Sequence, residues 1–235
     1  MFPERKTLLL AGLVVSSFFN NSAIAAYLDF TDRNTVAALT SITNGFQGAI
    51  DGIGFTLTST DGLVNFNESY DGSTDTGCQS GGGPLACDTD GAGIGNDEIT
   101  GLSVNSGQVL SLVFDTQVRI SSLDFLDLYL NPDPQKGGEQ ARITVDGATL
   151  YTVNATGTSG DGGYANLDLL SMGGPIVGQT IEFTAFLGAS IQDDRDNDYA
   201  FAAAEISAIP VPAAIWLFGT AIVGLIGFGK RKRTV

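Results

Sequence analysis

The chain has 235 residues, with 26 acidic side chains against 11 basic ones, no histidine and a formal net charge of −15. Such acidity repels polyanions, so the composition excludes a nucleic-acid-binding protein. The lack of histidine removes the Ser-His-Asp and Cys-His catalytic arrangements, and the many carboxylates single out no pair for glycoside hydrolysis. We therefore expect a protein that is not an enzyme.

Residues 1–25 have the pattern of a secretory signal peptide. Arg5 and Lys6 form a basic region, residues 7–19 form an apolar region, and positions 23–25 (AIA) supply a small-x-small cleavage pattern. The mature chain is predicted to begin at Ala26 or Tyr27, outside the cytoplasm.

Residues 26–208 are predicted to form one passenger domain, which is long enough for a single core of sandwich or barrel size. This segment keeps five Lys and Arg residues against 25 Asp and Glu residues, so its net charge is −20. A surface of that charge favours divalent cations or basic partners.

Apolar and polar residues alternate along the passenger with a period of two, which is typical of strands. Strands are predicted at 54–59, 108–114, 118–130, 141–145, 150–154, 180–187 and 199–206. The dipeptide Asp146-Gly147 predicts the clearest hairpin, and residues 35–49 fit either a short helix or an edge strand. With no amphipathic helical stretch, the pattern indicates an all-β fold, an antiparallel β-sandwich of jelly-roll-like type.

A segment rich in glycine and aspartate, residues 70–95, contains both cysteines of the chain, Cys78 and Cys87. In an exported protein, two cysteines at this spacing are predicted to form a disulfide that closes a loop. Such a bridge would contribute about 2.5–3 kcal/mol by the chain-entropy relation. A free redox pair is the alternative.

Residues 92–100 (AGIGNDEIT) match the calcium-binding nonapeptide motif except at its first glycine. That motif binds calcium through stacked copies, whereas this chain carries one copy. Asp97 is the candidate ligand. A plain turn that leads into a strand near Glu98 explains the same residues.

An acidic turn lies between the last two predicted strands. Four carboxylates fall within six residues there: Asp193, Asp194, Asp196 and Asp198. By analogy, carbohydrate-binding jelly rolls hold a structural calcium near the start of the last strand, with ligands from the first, where Asp29 and Asp32 lie. A hydrated acidic turn and a calcium site both remain open, and no other cofactor is expected.

The C-terminal segment, residues 209–235, combines two prolines, an uncharged span and a basic cluster. Residues 213–229 carry no charge, and as a helix they would extend roughly 26 Å, just short of a hydrocarbon core of about 30 Å. The basic run at 230–233 (KRKR) places the C-terminus in the cytoplasm by the positive-inside rule. The segment therefore predicts one marginal transmembrane helix.

The outer edge of this span carries the motif Pro210, Val211, Pro212 and Ala213, followed by residues 216–219 (WLFG) and the basic run. These residues resemble a PEP-CTERM sorting signal, and more narrowly its Val-Pro-Leu-Pro-Ala variant. The resemblance covers only the C-terminal segment. It implies a Gram-negative bacterium whose exosortase, a membrane cysteine peptidase or transpeptidase, cuts near the prolines and releases the passenger from the inner membrane to the cell surface or matrix. An ordinary single-pass anchor is the alternative.

We therefore expect an exported surface or matrix protein with a structural or adhesive role in biofilm or exopolysaccharide association. The alternative is a secreted glycan-binding module or carbohydrate-active enzyme. Its stacking platforms would be tyrosines, because the only tryptophan, Trp216, lies in the tail. The candidate platforms are Tyr70, Tyr129, Tyr151, Tyr164 and Tyr199.

Overall fold

Antiparallel strands make up almost all of the regular structure, as the period-two pattern predicts. The computed structural model describes residues 25–66, 70, 76–95, 98–101, 108–130, 138–157, 162–185 and 197–209. One short α-helix, α1, spans Arg33–Ala37, and a single turn of 3-10 helix spans Gln79–Gly81. The strands are β1 (Ala25–Asp29), β2 (Thr40–Ile42), β3 (Gly45–Ile50), β4 (Ile53–Ser59), β5 (Val64–Asn65), β6 (Gly93–Ile94), β7 (Leu110–Leu126), β8 (Gln140–Val145), β9 (Ala148–Asn154), β10 (Ala165–Asp168), β11 (Ile176–Ala185) and β12 (Ala200–Ala208).

Ten strands form one continuous hydrogen-bonded sheet, and β5 and β6 form a separate two-stranded sheet. The large sheet has two parts that share β7. We call the part with the order β2-β3-β4-β7-β11-β8-β9 sheet 1, and the part that joins β1, β12, β7 and β10 sheet 2. The first half of β7 pairs with β4, and its second half pairs with β12. Between these halves, residues 115–117 are exposed beside a register shift in β11. A strand that bends at such an irregularity can pass from one sheet of a sandwich to the other.

The core lies between the two sheets. Phe183 of β11 stacks on Phe201 of β12 with ring centroids 4.0 Å apart, and Phe125 of β7 meets Phe183 at 6.1 Å. Phe183 is also paired with Leu110, so both ends of β7 lie at one end of the sandwich. We call this the loop end, and we call the opposite end, which holds residues 115–118, the corner end.

The hairpin predicted at Asp146-Gly147 is confirmed. Asp146 has φ 49° and Gly147 has φ 80°, the two positive values that a tight hairpin turn requires. The Asp146 carboxylate accepts hydrogen bonds from the backbone N–H groups of Gln179 and Thr180 at 3.0 and 2.9 Å. The turn residue therefore also fastens the hairpin to β11.

Other predicted boundaries need correction. The strands predicted at 108–114 and 118–130 are the single strand β7, because β11 pairs along both halves. Residues 35–49 contain the end of α1 as well as two strands, β2 and β3. The strand expected near Glu98 is wrong: the strand in that segment is β6, which pairs with β5 and is followed by Gly95 at φ 82°.

Several sequence predictions fall outside the described residues. These are residues 1–24 of the signal peptide, the sorting motif at 210–213, the span at 213–229 and the basic run at 230–233. Within the described ranges, no helix is long and apolar enough to cross a membrane. The strands described above form the predicted all-β sandwich. Its narrower jelly-roll connectivity stays a prediction.

Candidate functional site

A disulfide-closed segment covers part of the outer face of sheet 2. Cys78 and Cys87 are bonded, with their Cα atoms 5.7 Å apart, which confirms the predicted bridge. We call residues 76–95 the disulfide layer. Its Leu85 and Cys87 pack on Leu126 of β7 and on the alanines Ala202 and Ala203 of β12. The small alanine side chains let the layer lie close to the sheet.

The last residue of β1 and the residues after it hold this layer in place. The Asp29 carboxylate accepts hydrogen bonds from the Thr31 N–H at 2.9 Å, the Thr31 hydroxyl at 2.6 Å and the Ala86 N–H at 2.9 Å. The Thr31 hydroxyl oxygen accepts a bond from the Cys87 N–H at 2.9 Å. Burial raises the pKa of Asp29 above its ordinary 3.8, and these hydrogen bonds oppose the rise.

A buried carboxylate lies on the same face of sheet 2. Asp124 is 1% exposed and accepts hydrogen bonds from the Tyr27 and Tyr164 hydroxyls, each at 2.8 Å, and from the Asn166 amide at 2.7 Å. Burial, and then the Asp124 charge, raise the pKa of Tyr27, so that phenol stays protonated and donating. Because three donors satisfy the carboxylate, the cluster stabilises the fold.

The outer face of sheet 1 carries an open groove instead of a covering layer. The groove has a volume of about 500 Å³ and lies over β3, β4 and β7, within the range of about 300–1,000 Å³ that is usual for small-ligand sites. Its polar lining comes from Thr40, Gln47, Thr56 and Asp115. Gln47 pairs with Thr56 across β3 and β4, so their side chains share one face.

One glycine, Gly54, leaves space beside the polar lining. It lies on the same face of β4 as Thr56, and a Cβ there would lie 2.9 Å from the Asp115 carboxylate. The carboxylate therefore lies directly over Gly54. An amide, two hydroxyls and a carboxylate along an open depression can donate and accept hydrogen bonds with a polyhydroxylated ligand.

The proposed calcium ligands are mostly outside the described residues. Asp97, Asp193, Asp194 and Asp196 lie there, and Asp198 is described and half-buried. Among the described residues, no group of three or more Asp, Glu or Cys side chains could hold a metal ion. Calcium binding stays a prediction.

The two aspartates near the first strand have other partners. Asp29 anchors the disulfide layer, as described above. Asp32 caps α1 and accepts hydrogen bonds from the backbone N–H groups of Asn34 and Thr35. The Asn34 N–H holds the pKa of Asp32 below its ordinary 3.8.

The tyrosines expected to stack on sugars do not form exposed platforms. Tyr199 is fully buried in the core, and the other four are half-buried. The Tyr164 hydroxyl donates to Asp124, and the Tyr129 hydroxyl donates to Asp127 at 2.6 Å. Sequence reasoning missed the groove, since its polar residues are ordinary strand residues and only Gly54 within β4 hints at an opening.

No protein-family model and no curated protein matches the chain. Among solved structures, it is similar to the carbohydrate-binding module CBM32-3 of a family 31 glycoside hydrolase from Clostridium perfringens. The identity is 16%, the match covers 64% of this chain and 91% of that one, and the TM-score is 0.27. A likeness at this TM-score carries no argument about what the present chain binds.

Proposed function

We propose that the protein is an exported surface or matrix protein, sorted by an exosortase, whose β-sandwich has a structural or adhesive role without catalysis. The observation that carries this proposal is the disulfide between Cys78 and Cys87, formed within a layer that packs on the sheet. Structural disulfides persist in oxidising compartments outside the cytoplasm. The signal-peptide pattern supports the proposed export, and the proline motif supports the proposed sorting.

Deletion of the exosortase gene in the native host tests the sorting step. We expect the wild-type host to place the passenger in the surface or medium fraction, and the deletion strain to retain a longer, membrane-bound form. Substitution of Pro210 and Pro212 by alanine should reproduce the retention in the wild-type host. Release of an identical product from both strains would overturn the sorting proposal.

A second candidate function, glycan binding, is favoured by the groove on sheet 1. Its hydroxyls, its amide and its carboxylate match the hydrogen-bonding groups of a sugar chain. The groove is open, so a long polysaccharide can lie across it without an end entering a closed pocket. The ligand proposed for it is exopolysaccharide of the producing cell.

Binding to purified exopolysaccharide tests the groove. The double variant Gln47→Ala, Thr56→Val removes two hydrogen-bonding groups, and we expect about tenfold weaker binding from two bonds of about 0.7 kcal/mol each. Gln79→Ala, Ser80→Ala is the matched control, because both residues are exposed on the disulfide layer. Equal binding by both variants and the wild type would rule the groove out.

A further inference from the structure

Three large apolar side chains are exposed in β11 and in the turn that leads into it. Leu170 is 56% exposed, Met172 is 59% exposed and Val177 is 47% exposed. We call these three residues the apolar patch. Soluble domains seldom hold neighbouring large apolar side chains in water without a partner.

The turn that presents the patch is ordered by its own hydrogen bonds. The Asp168 carboxylate accepts bonds from the N–H groups of Leu170 and Ser171 at 3.0 and 3.2 Å. The Gly174 N–H donates to the Leu169 carbonyl at 3.0 Å. These bonds therefore order the backbone that carries Leu170 and Met172.

The patch lies close to the point where the chain leaves the sandwich. Val177 of β11 pairs with Arg119 of β7, and Arg119 pairs with Ser207 of β12. Two strand spacings make the distance from Val177 to Ser207 about 10 Å. Arg119 is exposed between them. Strand β12 ends at Ala208, so the C-terminal segment begins beside this row.

The length of the following segment limits how far this row can be from a membrane. Four peptide units separate Ile209 from Ala213, where the uncharged span begins, and they reach at most about 14 Å. The headgroup layer on each side of the core is about 5–8 Å thick. With residues 213–229 in the bilayer, the end of β12 is therefore held against the headgroups.

We propose that the apolar patch rests in the headgroup layer of the membrane while the tail anchors the chain. This inference rests on the proposed function, since it requires the C-terminal segment to span the membrane. Apolar side chains at an interface enter the boundary between headgroups and acyl chains, and Arg119 is placed to meet a lipid phosphate. The tether supplies a high local concentration, which offsets the repulsion between an acidic domain and a lipid surface.

Tryptophan quenching in vesicles tests this contact with the full chain. Trp216→Phe removes the only native tryptophan, and Met172→Trp then places a single reporter in the patch. Leu63→Trp in the same background is the matched control: Leu63 is 63% exposed and follows β4 at the loop end. The vesicles contain phosphatidylethanolamine and phosphatidylcholine, the latter brominated on its acyl chains.

We expect both variants to float with the vesicles and the residue 172 reporter to be quenched about threefold more strongly than the residue 63 reporter, because an interfacial ring lies within about 5–10 Å of the acyl chains. Leu170→Glu with Val177→Glu should bring the residue 172 quenching down to the level of the control. Flotation with equal quenching at both positions would overturn the proposed contact between the patch and the membrane, and would leave the proposed anchoring by the tail intact. Failure of both variants to float would overturn the anchored tail and the patch together.

Discussion

The two outer faces of the sandwich differ in what covers them. Sheet 2 is covered by the disulfide layer, which Asp29 and Thr31 fasten from below and which encloses the Asp124 cluster. Sheet 1 has no such layer among the described residues, and its groove over β3, β4 and β7 is open. Much of one face is covered, and the groove on the other face remains available to a ligand.

This difference bears on the proposed export. The covering layer contains a disulfide, and structural disulfides persist in oxidising compartments. The hydrogen-bonded Asp124 cluster lies beneath the layer. Because buried unpaired polar groups are costly, a change in this cluster should destabilise the fold. The open face requires nothing comparable, so variants on the two faces should behave differently.

The largest expected effect is that of Asp124→Ala on the covered face. Two tyrosine hydroxyls and an amide would lose their acceptor, and the free energy of unfolding should fall by about 3–5 kcal/mol. Urea denaturation measures it. Asp115→Ala is the control on the open face, where the carboxylate is exposed and a change within about 0.5 kcal/mol is expected. Equal effects of the two substitutions would break the comparison.

Loss of the bridge should come next. The double variant Cys78→Ser, Cys87→Ser should be about 2.5–3 kcal/mol less stable by the chain-entropy relation. Hydrogen exchange should show faster opening of residues 76–95 and of β12, and unchanged protection in β3 and β4. Faster exchange on both faces alike would show that the layer is not a local covering.

Two glycines give a sharper test at single positions. Gly91 has φ 115°, and a Cβ there would lie 2.6 Å from the Phe201 carbonyl oxygen. Gly91→Ala should therefore cost about 2 kcal/mol. At Gly54 a Cβ meets only the exposed Asp115 carboxylate, which can turn aside, so Gly54→Ala should change stability by less than about 0.5 kcal/mol. Thermal unfolding compares them, and a larger loss at Gly54 would contradict the assignment of the two faces.

The smallest effect is a pair of opposite pH dependences near β1. Asp29 has a raised pKa in the fold, so its contribution is complete below 3.8 and is lost as the pH rises through the raised value. Asp32 has a lowered pKa, so its contribution is present above 3.8 and is lost as the pH falls through the lowered value.

Urea unfolding at a series of pH values separates these two carboxyl groups. Relative to the wild type, Asp29→Asn should change the slope of stability against pH above 3.8, and Asp32→Asn should change it below 3.8. If both variants change the stability slope on the same side of pH 3.8, the assignment of at least one pKa direction is incorrect.

Local sequence patterns predicted the parts of this fold that depend on neighbours in the chain. The Asp146-Gly147 hairpin follows from two residues that tolerate positive φ, and the bridge follows from two cysteines in one short segment. The central strands follow from their alternation of apolar and polar residues. The two-residue strands β5 and β6 carry too little pattern to be found this way.

The candidate site depends on contacts that no local pattern encodes. Tyr27 and Asp124 are 97 residues apart, and Tyr164 is 40 residues from Asp124, so only the sheet topology brings them together. The groove brings together Gln47, Thr56 and Asp115 from three different strands. The alternation pattern did not delimit strand β1, whose pairing partner β12 lies at the other end of the passenger.

The central claim is that the chain is exported, oxidised and then separated from its tail. The intact mass of the protein recovered from the surface or medium of its native host tests this most directly. We predict a chain that begins at Ala26 or Tyr27, lacks about the last 25 residues, and gains alkylation at Cys78 and Cys87 only after reduction. Full-length protein confined to the membrane of a host that carries an exosortase, or free thiols at both positions, would contradict it.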